Sequence, residues 1–64
     1  MSYKQEFENV ISILNSALVD ADKFDQGNDA AGKRLRATCQ ELKTNLQNLR
    51  LQIQETRNSR KLNK

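Results

Sequence analysis

The stretch "FDQGNDAAGKRLR", Phe24 to Arg36, decides how this chain folds. Within it, Gly27 to Lys33 spells G-x-x-x-x-G-K, the opening of a phosphate-binding loop. Such a loop sits between a buried strand and a helix, and a Ser or Thr after the lysine holds magnesium. Here Arg34 takes the hydroxyl position and a helical pattern precedes Gly27, so a single-nucleotide site is excluded. The same letters read better as one helix ending and another beginning. Gly27 suits the position just past a helix, where the backbone turns left-handed and glycine does so freely. Asn28 is a favoured N-cap, and Asp29 complements the positive helix start. A connection this short makes the two helices antiparallel neighbours.

Upstream of the turn, Ser2 and Gln5 form a capping-box pattern,. Apolar residues then recur at Tyr3, Phe7, Val10, Leu14, Ala17, Ala21 and Phe24, in alternating steps of four and three,. Ile11 and Leu18 widen this stripe on one side and Ile13 on the other. A stripe so wide calls for more than one neighbour. Downstream, Leu35, Cys39, Leu42, Leu46, Leu49 and Ile53 make a second seam, which fades at Thr56 and Arg60. The expected fold is therefore all-α: an antiparallel two-helix hairpin, about 2–26 and 28–58, forming one domain over 1–64 with a basic, frayed tail at 58–64. Lengths of roughly 36 and 45 Å leave the second helix overhanging, with Leu49 and Ile53 poorly covered. Self-association, most simply a coiled-coil-like or four-helix dimer, would cover both. The expected core and interface set is Phe7, Val10, Ile11, Leu14, Leu18, Phe24, Leu35, Cys39, Leu42, Leu46, Leu49 and Ile53.

Sixty-four residues supply little core unaided,. There is no histidine, and the single cysteine permits no intrachain disulfide. A reduced intracellular setting follows most simply, and Cys39 on a leucine seam reads as a small core residue. The apolar cluster from Val10 to Leu18 is interrupted by Ser12, Asn15 and Ser16, so no secretory or membrane segment is expected. No nucleophile–base pair, cysteine pair or convergent carboxylates stand out. The expectation is no enzyme, no metal, no cofactor and no small-molecule substrate. Gly32, inside the second helix and flanked by Ala30 and Ala31, reads as a small-residue patch letting the helices close, with Phe24 as its partner. Close approach of its backbone to a phosphate is the alternative.

Charge separates the two halves. Residues 1–29 carry two cations against six acids, a net of −4, and residues 30–64 carry nine against two, a net of +7. Arg36, Lys43, Arg50, Arg57 and Lys64 recur every seven residues beside the second seam. The flanking positions on its other side, Thr38, Asn45, Gln52 and Ser59, are not acidic. The column therefore either pairs with acids of the first helix or tracks a phosphate backbone.

Residues 24–57 resemble the bacterial histone H1-like family known from chlamydiae and from Bacteroidetes-type bacteria. The resemblance rests on Gly27, Asn28, Ala30, Ala31, Arg34, Arg36, Glu41, Leu42 and Arg50. It implies a nucleoid-associated, cytoplasmic protein that binds double-stranded DNA with little sequence preference. Chlamydial members carry a long Lys/Ala/Pro-rich tail, absent from these 64 residues. DNA contact is then expected from Lys33, Arg34, Arg36, Lys43, Arg50, Arg57, Arg60, Lys61 and Lys64. The competing reading is a helical assembly or adaptor module that binds protein and no nucleic acid.

Overall fold

A computed structural model of the protein describes residues 2–62, for Leu62 the backbone alone. Helix α1 spans Tyr3–Asp25 and helix α2 spans Asp29–Leu62. They pack against each other as a hairpin, with no strand among the described residues. The result is a rod, 55 × 16 × 14 Å, with a radius of gyration of 16.0 Å. A compact chain of this length would have a radius of about 11 Å.

The caps form as the sequence predicts. The Ser2 side chain accepts from the Gln5 amide at 3.1 Å. At the other end, the Gly27 amide donates to the Phe24 carbonyl at 2.9 Å, and the Asn28 amide donates to the Lys23 carbonyl at 3.0 Å. That pair of bonds closes α1 in a Schellman motif, with Gly27 at φ +100° supplying the left-handed residue,. The Asn28 side chain then accepts from the Ala31 amide at 3.1 Å and starts α2,. Just inside, the Phe24 ring lies against Gly32. A Cβ built on Gly32 would come within 2.5 Å of Phe24 Cε1. Gly32 is thus the place where the two helices close, as its small-residue surroundings suggested.

Packing departs from the expected seam. The covered positions of α2 are Ala31, Gly32, Leu35, Thr38, Leu42, Asn45, Leu49, Ile53 and Thr56. Those of α1 are Tyr3, Glu6, Val10, Ile13, Ala17, Asp20 and Ala21. Among the described residues only Val10, Ala31 and Leu49 are buried. Leu35, Leu42 and Ile53 are half-buried. Phe7, Ile11, Leu14, Leu18, Phe24 and Leu46 are exposed, and so is Cys39, which is therefore not a core residue of the hairpin. The physical reason is rotation of each helix about its axis. The apolar stripe on each is wider than one helix–helix contact. The contact takes the Ile13 side of α1 and the Thr38–Asn45 side of α2, leaving the Phe7–Leu18 side and the Cys39–Leu46 side uncovered.

Leu49, expected to lie beyond the end of the first helix, is instead covered to 4% exposure. The Tyr3 hydroxyl explains it. It donates to the Gln52 carbonyl at 3.0 Å and lies 2.6 Å from Thr56 Oγ1. This anchors the start of α1 beside Thr56, so the overhang begins only after that residue. α2 also runs on to Leu62, four residues past the expected end. No glycine or proline stops it, and Arg60 and Lys61 in its last turn suit the negative end of the helix dipole,. Asn63 and Lys64 lie outside the described residues.

Candidate nucleic-acid interface

Seen down the axis of α2, successive residues turn by about 100°. Cys39, Leu46, Ile53 and Arg60 form one column beside the interhelix contact. Arg36, Lys43, Arg50 and Arg57 form the next, and Lys33 and Lys61 the one after. Lys33, Arg36, Lys43, Arg50, Arg57, Arg60 and Lys61 thus fall within an arc of about 180°, half of the helix circumference. All seven are exposed. After Asp29 at the helix start, no acidic residue enters that arc, because Glu41 and Glu55 lie on the opposite flank. Residues seven apart are about 10.5 Å apart along the axis.

Arg34 is set apart from this arc. Its Nε donates to Asp20 Oδ1 at 3.0 Å across the hairpin, the only ion pair among the described residues. Its side chain is 51% exposed and that of Asp20 21%, so the pair adds little to stability. It does direct Arg34 to the flank away from the cationic column. Lys64, the last predicted contact, lies outside the described residues. Interhelix pairing therefore accounts for Arg34 alone. The remaining described cations of α2 face solvent.

The acids of α1 lie elsewhere. Glu6 and Asp20 sit beside the contact and are partly covered, while Glu8, Asp22 and Asp25 are exposed. The cations of α2 and the exposed acids of α1 therefore occupy opposite outer edges of the rod.

On the flank that carries Arg34, an open groove of about 240 Å³ is floored by Val10, Ile13 and Leu49. Its rim is Glu6, Asn9, Asn45, Asn48 and Gln52. It offers amides and one carboxylate, with no nucleophile or base pair that would activate one. No cluster of three or more metal-ligating side chains occurs among the described residues. No helix among them is long and apolar enough to cross a membrane. Sequence reasoning missed Tyr3 as a hydrogen-bonding anchor. Its only signal was a phenol hydroxyl on a seam otherwise without polar atoms, where a covered hydroxyl finds a partner.

Residues 4–59 match the family described as histone H1-like protein Hc1, and the chain belongs to that family. No curated protein and no solved structure matches it significantly.

Proposed function

We propose that this chain is a sequence-independent DNA-binding protein of the nucleoid, holding duplex DNA through the phosphates along one face of α2. The supporting observation is the arc of seven exposed cations, from Lys33 to Lys61, with no interleaved acid. Family membership points the same way. Exposed Arg and Lys on a rigid helix suit phosphate oxygens, with Arg offering a planar fork and Lys a point charge. A straight stripe with side chains about every 10 Å follows a backbone and presents no fixed set of donors to base edges, so affinity comes without sequence readout. Lys64, seven residues after Arg57 in the sequence, is assigned the same role. The hairpin contributes stiffness: α1 and the turn hold α2 helical without occupying its cationic face. The chain works as a self-associated hairpin with no cofactor or chemical step, and its place is the bacterial cytoplasm.

The test is titration of a mixed-sequence duplex at several salt concentrations. Five to seven phosphate contacts predict a slope of log K against log salt of about −5 to −6. Arg50→Gln and Arg57→Gln should each flatten the slope by about 0.9. Arg34→Gln should change it far less, because Asp20 holds that side chain on the other flank. Absence of binding at low salt, or affinity indifferent to salt, would overturn the reading.

A further inference from the structure

We propose that the groove between α1 and α2, on the flank away from the cationic arc, binds a linear aliphatic polyamine. Its ammonium groups meet Glu6, Glu41 and Glu55, and its methylenes lie on the apolar floor. The inference does not draw on the DNA-binding reading, and it leaves the cations of α2 free.

The groove holds about 240 Å³ over a floor of Val10, Ile13 and Leu49. Val10 and Leu49 are buried in the helix contact, so the floor is held in place. Its rim is four amide side chains, Asn9, Asn45, Asn48 and Gln52, together with the Glu6 carboxylate. None of these side chains makes a hydrogen bond or ion pair among the described residues. Each amide keeps an oxygen that accepts. Such a groove suits a ligand that is apolar along its length and donates hydrogen bonds at intervals.

Charge sets the sign of that ligand. Glu41, Asn45, Asn48, Gln52 and Glu55 step by four, three, four and three along one side of α2,. The rim therefore runs between two carboxylates about 21 Å apart along the axis. Because Tyr3 meets Gln52 and Thr56, Glu6 falls between those ends, about 7 Å from Glu55 and about 13 Å from Glu41 along the axis. No Lys or Arg stands three or four residues from any of these glutamates, so none is paired within its own helix,. Arg34, the cation that α2 turns to this flank, is held by Asp20. Spaced carboxylates call for spaced cations. A metal ion needs its ligands gathered at one point, and no such cluster occurs among the described residues. Ammonium groups separated by four methylenes lie roughly 6 Å apart when extended, close to the step from Glu6 to Glu55. A triamine or tetramine spans more of the rim than a diamine. A lysine-rich peptide carries the same charge but lays its backbone amides over the apolar floor, where they lack partners.

The experiment uses the whole chain without DNA. Spermine, spermidine and putrescine are titrated at low salt by calorimetry, and the side-chain amide signals of Asn9, Asn45, Asn48 and Gln52 are followed by NMR. Spermine should bind with a Kd on the order of 10⁻⁴ M, spermidine more weakly and putrescine most weakly, with those amide signals moving first. Glu6→Gln should weaken spermine binding about fivefold, and so should Glu41→Gln combined with Glu55→Gln. Glu8→Gln, on the outer edge of α1, should leave it unchanged, and all variants should keep the wild-type helicity. Hexaamminecobalt(III), a compact trivalent cation with no methylenes, should bind at least about fivefold more weakly than spermidine. Absence of binding would overturn the inference. Equal binding of the cobalt complex, an equal loss in Glu8→Gln, or shifts spread over Glu8, Asp22 and Asp25 would show diffuse charge attraction and overturn it too. A lysine tripeptide of spermidine's charge that binds more tightly than spermidine would give the groove to a peptide instead.

Discussion

Replacing Gly32 by alanine should destabilise the wild-type hairpin and stabilise a hairpin that lacks the Phe24 ring. Glycine inside a helix costs about 1 kcal/mol relative to alanine, so propensity alone favours the substitution. The added Cβ, however, would sit 2.5 Å and 2.6 Å from two ring atoms of Phe24. Carbon atoms prefer about 3.5–4.0 Å, so the ring must move by at least about 1 Å. Phe24 is 48% exposed, so about half of a side chain worth 150–250 Å² is covered, on the order of 100 Å². At ~25 cal/mol per Å², its expulsion costs up to about 2.5 kcal/mol. The net expectation for Gly32→Ala is a loss approaching 1.5 kcal/mol, and for Gly32→Ala on Phe24→Ala a gain of about 1 kcal/mol. For a chain of this size 1 kcal/mol moves Tm by about 4–8 °C. Circular dichroism melts of the four variants, at one protein concentration and with a fixed level of stabilising osmolyte, give the cycle. Equal gains in both backgrounds would refute the reasoning, because the ring would then not be what excludes a side chain at position 32.

Two further substitutions test the ends of the hairpin. Tyr3→Phe removes the hydroxyl that meets Gln52 and Thr56 and should cost about 1 kcal/mol. Thr56→Val should add little on top of it, and amide exchange should quicken in the first turn of α1 before the rest; uniform quickening would argue against a local anchor. Gly27→Ala meets no atom within 4 Å, so its cost is backbone strain alone, about 1–2 kcal/mol at positive φ. Gly27→Asn should cost less, and equal melting of both variants with wild type would show that the turn does not need a left-handed residue.

Much of the molecule was legible from local chemistry. Ser2, Gly27 and Asn28 mark helix ends because each satisfies backbone groups a helix leaves unpaired,. The alternating three and four spacing fixes two helices, and a two-residue-scale turn fixes their antiparallel sense. The heptad spacing of Arg36, Lys43, Arg50 and Arg57 puts them on one face in any straight helix. These features depend on residues close in sequence, and the sequence alone determines them.

Which apolar column meets the other helix was decided only in three dimensions. Val10 and Leu49 belong to both the expected and the observed seam, so either rotation buries them. Ile13 competes with Leu14, and Thr38 and Asn45 compete with Cys39 and Leu46, at adjacent positions about 100° apart around the helix. Hydrophobicity ranks the unchosen columns higher, yet the helices meet on the others. The contact that wins is the one compatible with Tyr3 reaching Gln52 and Thr56 at one end and Phe24 resting on Gly32 at the other. Both are contacts between residues distant along the chain or across the turn, and no periodicity encodes them. The same rotation leaves Phe7, Ile11, Leu14 and Leu18 facing outward, turns Arg34 toward Asp20, and frees the cationic column beside the apolar face. Sequence fixed where the cations stand on their own helix; the tertiary contact decided what stands beside them.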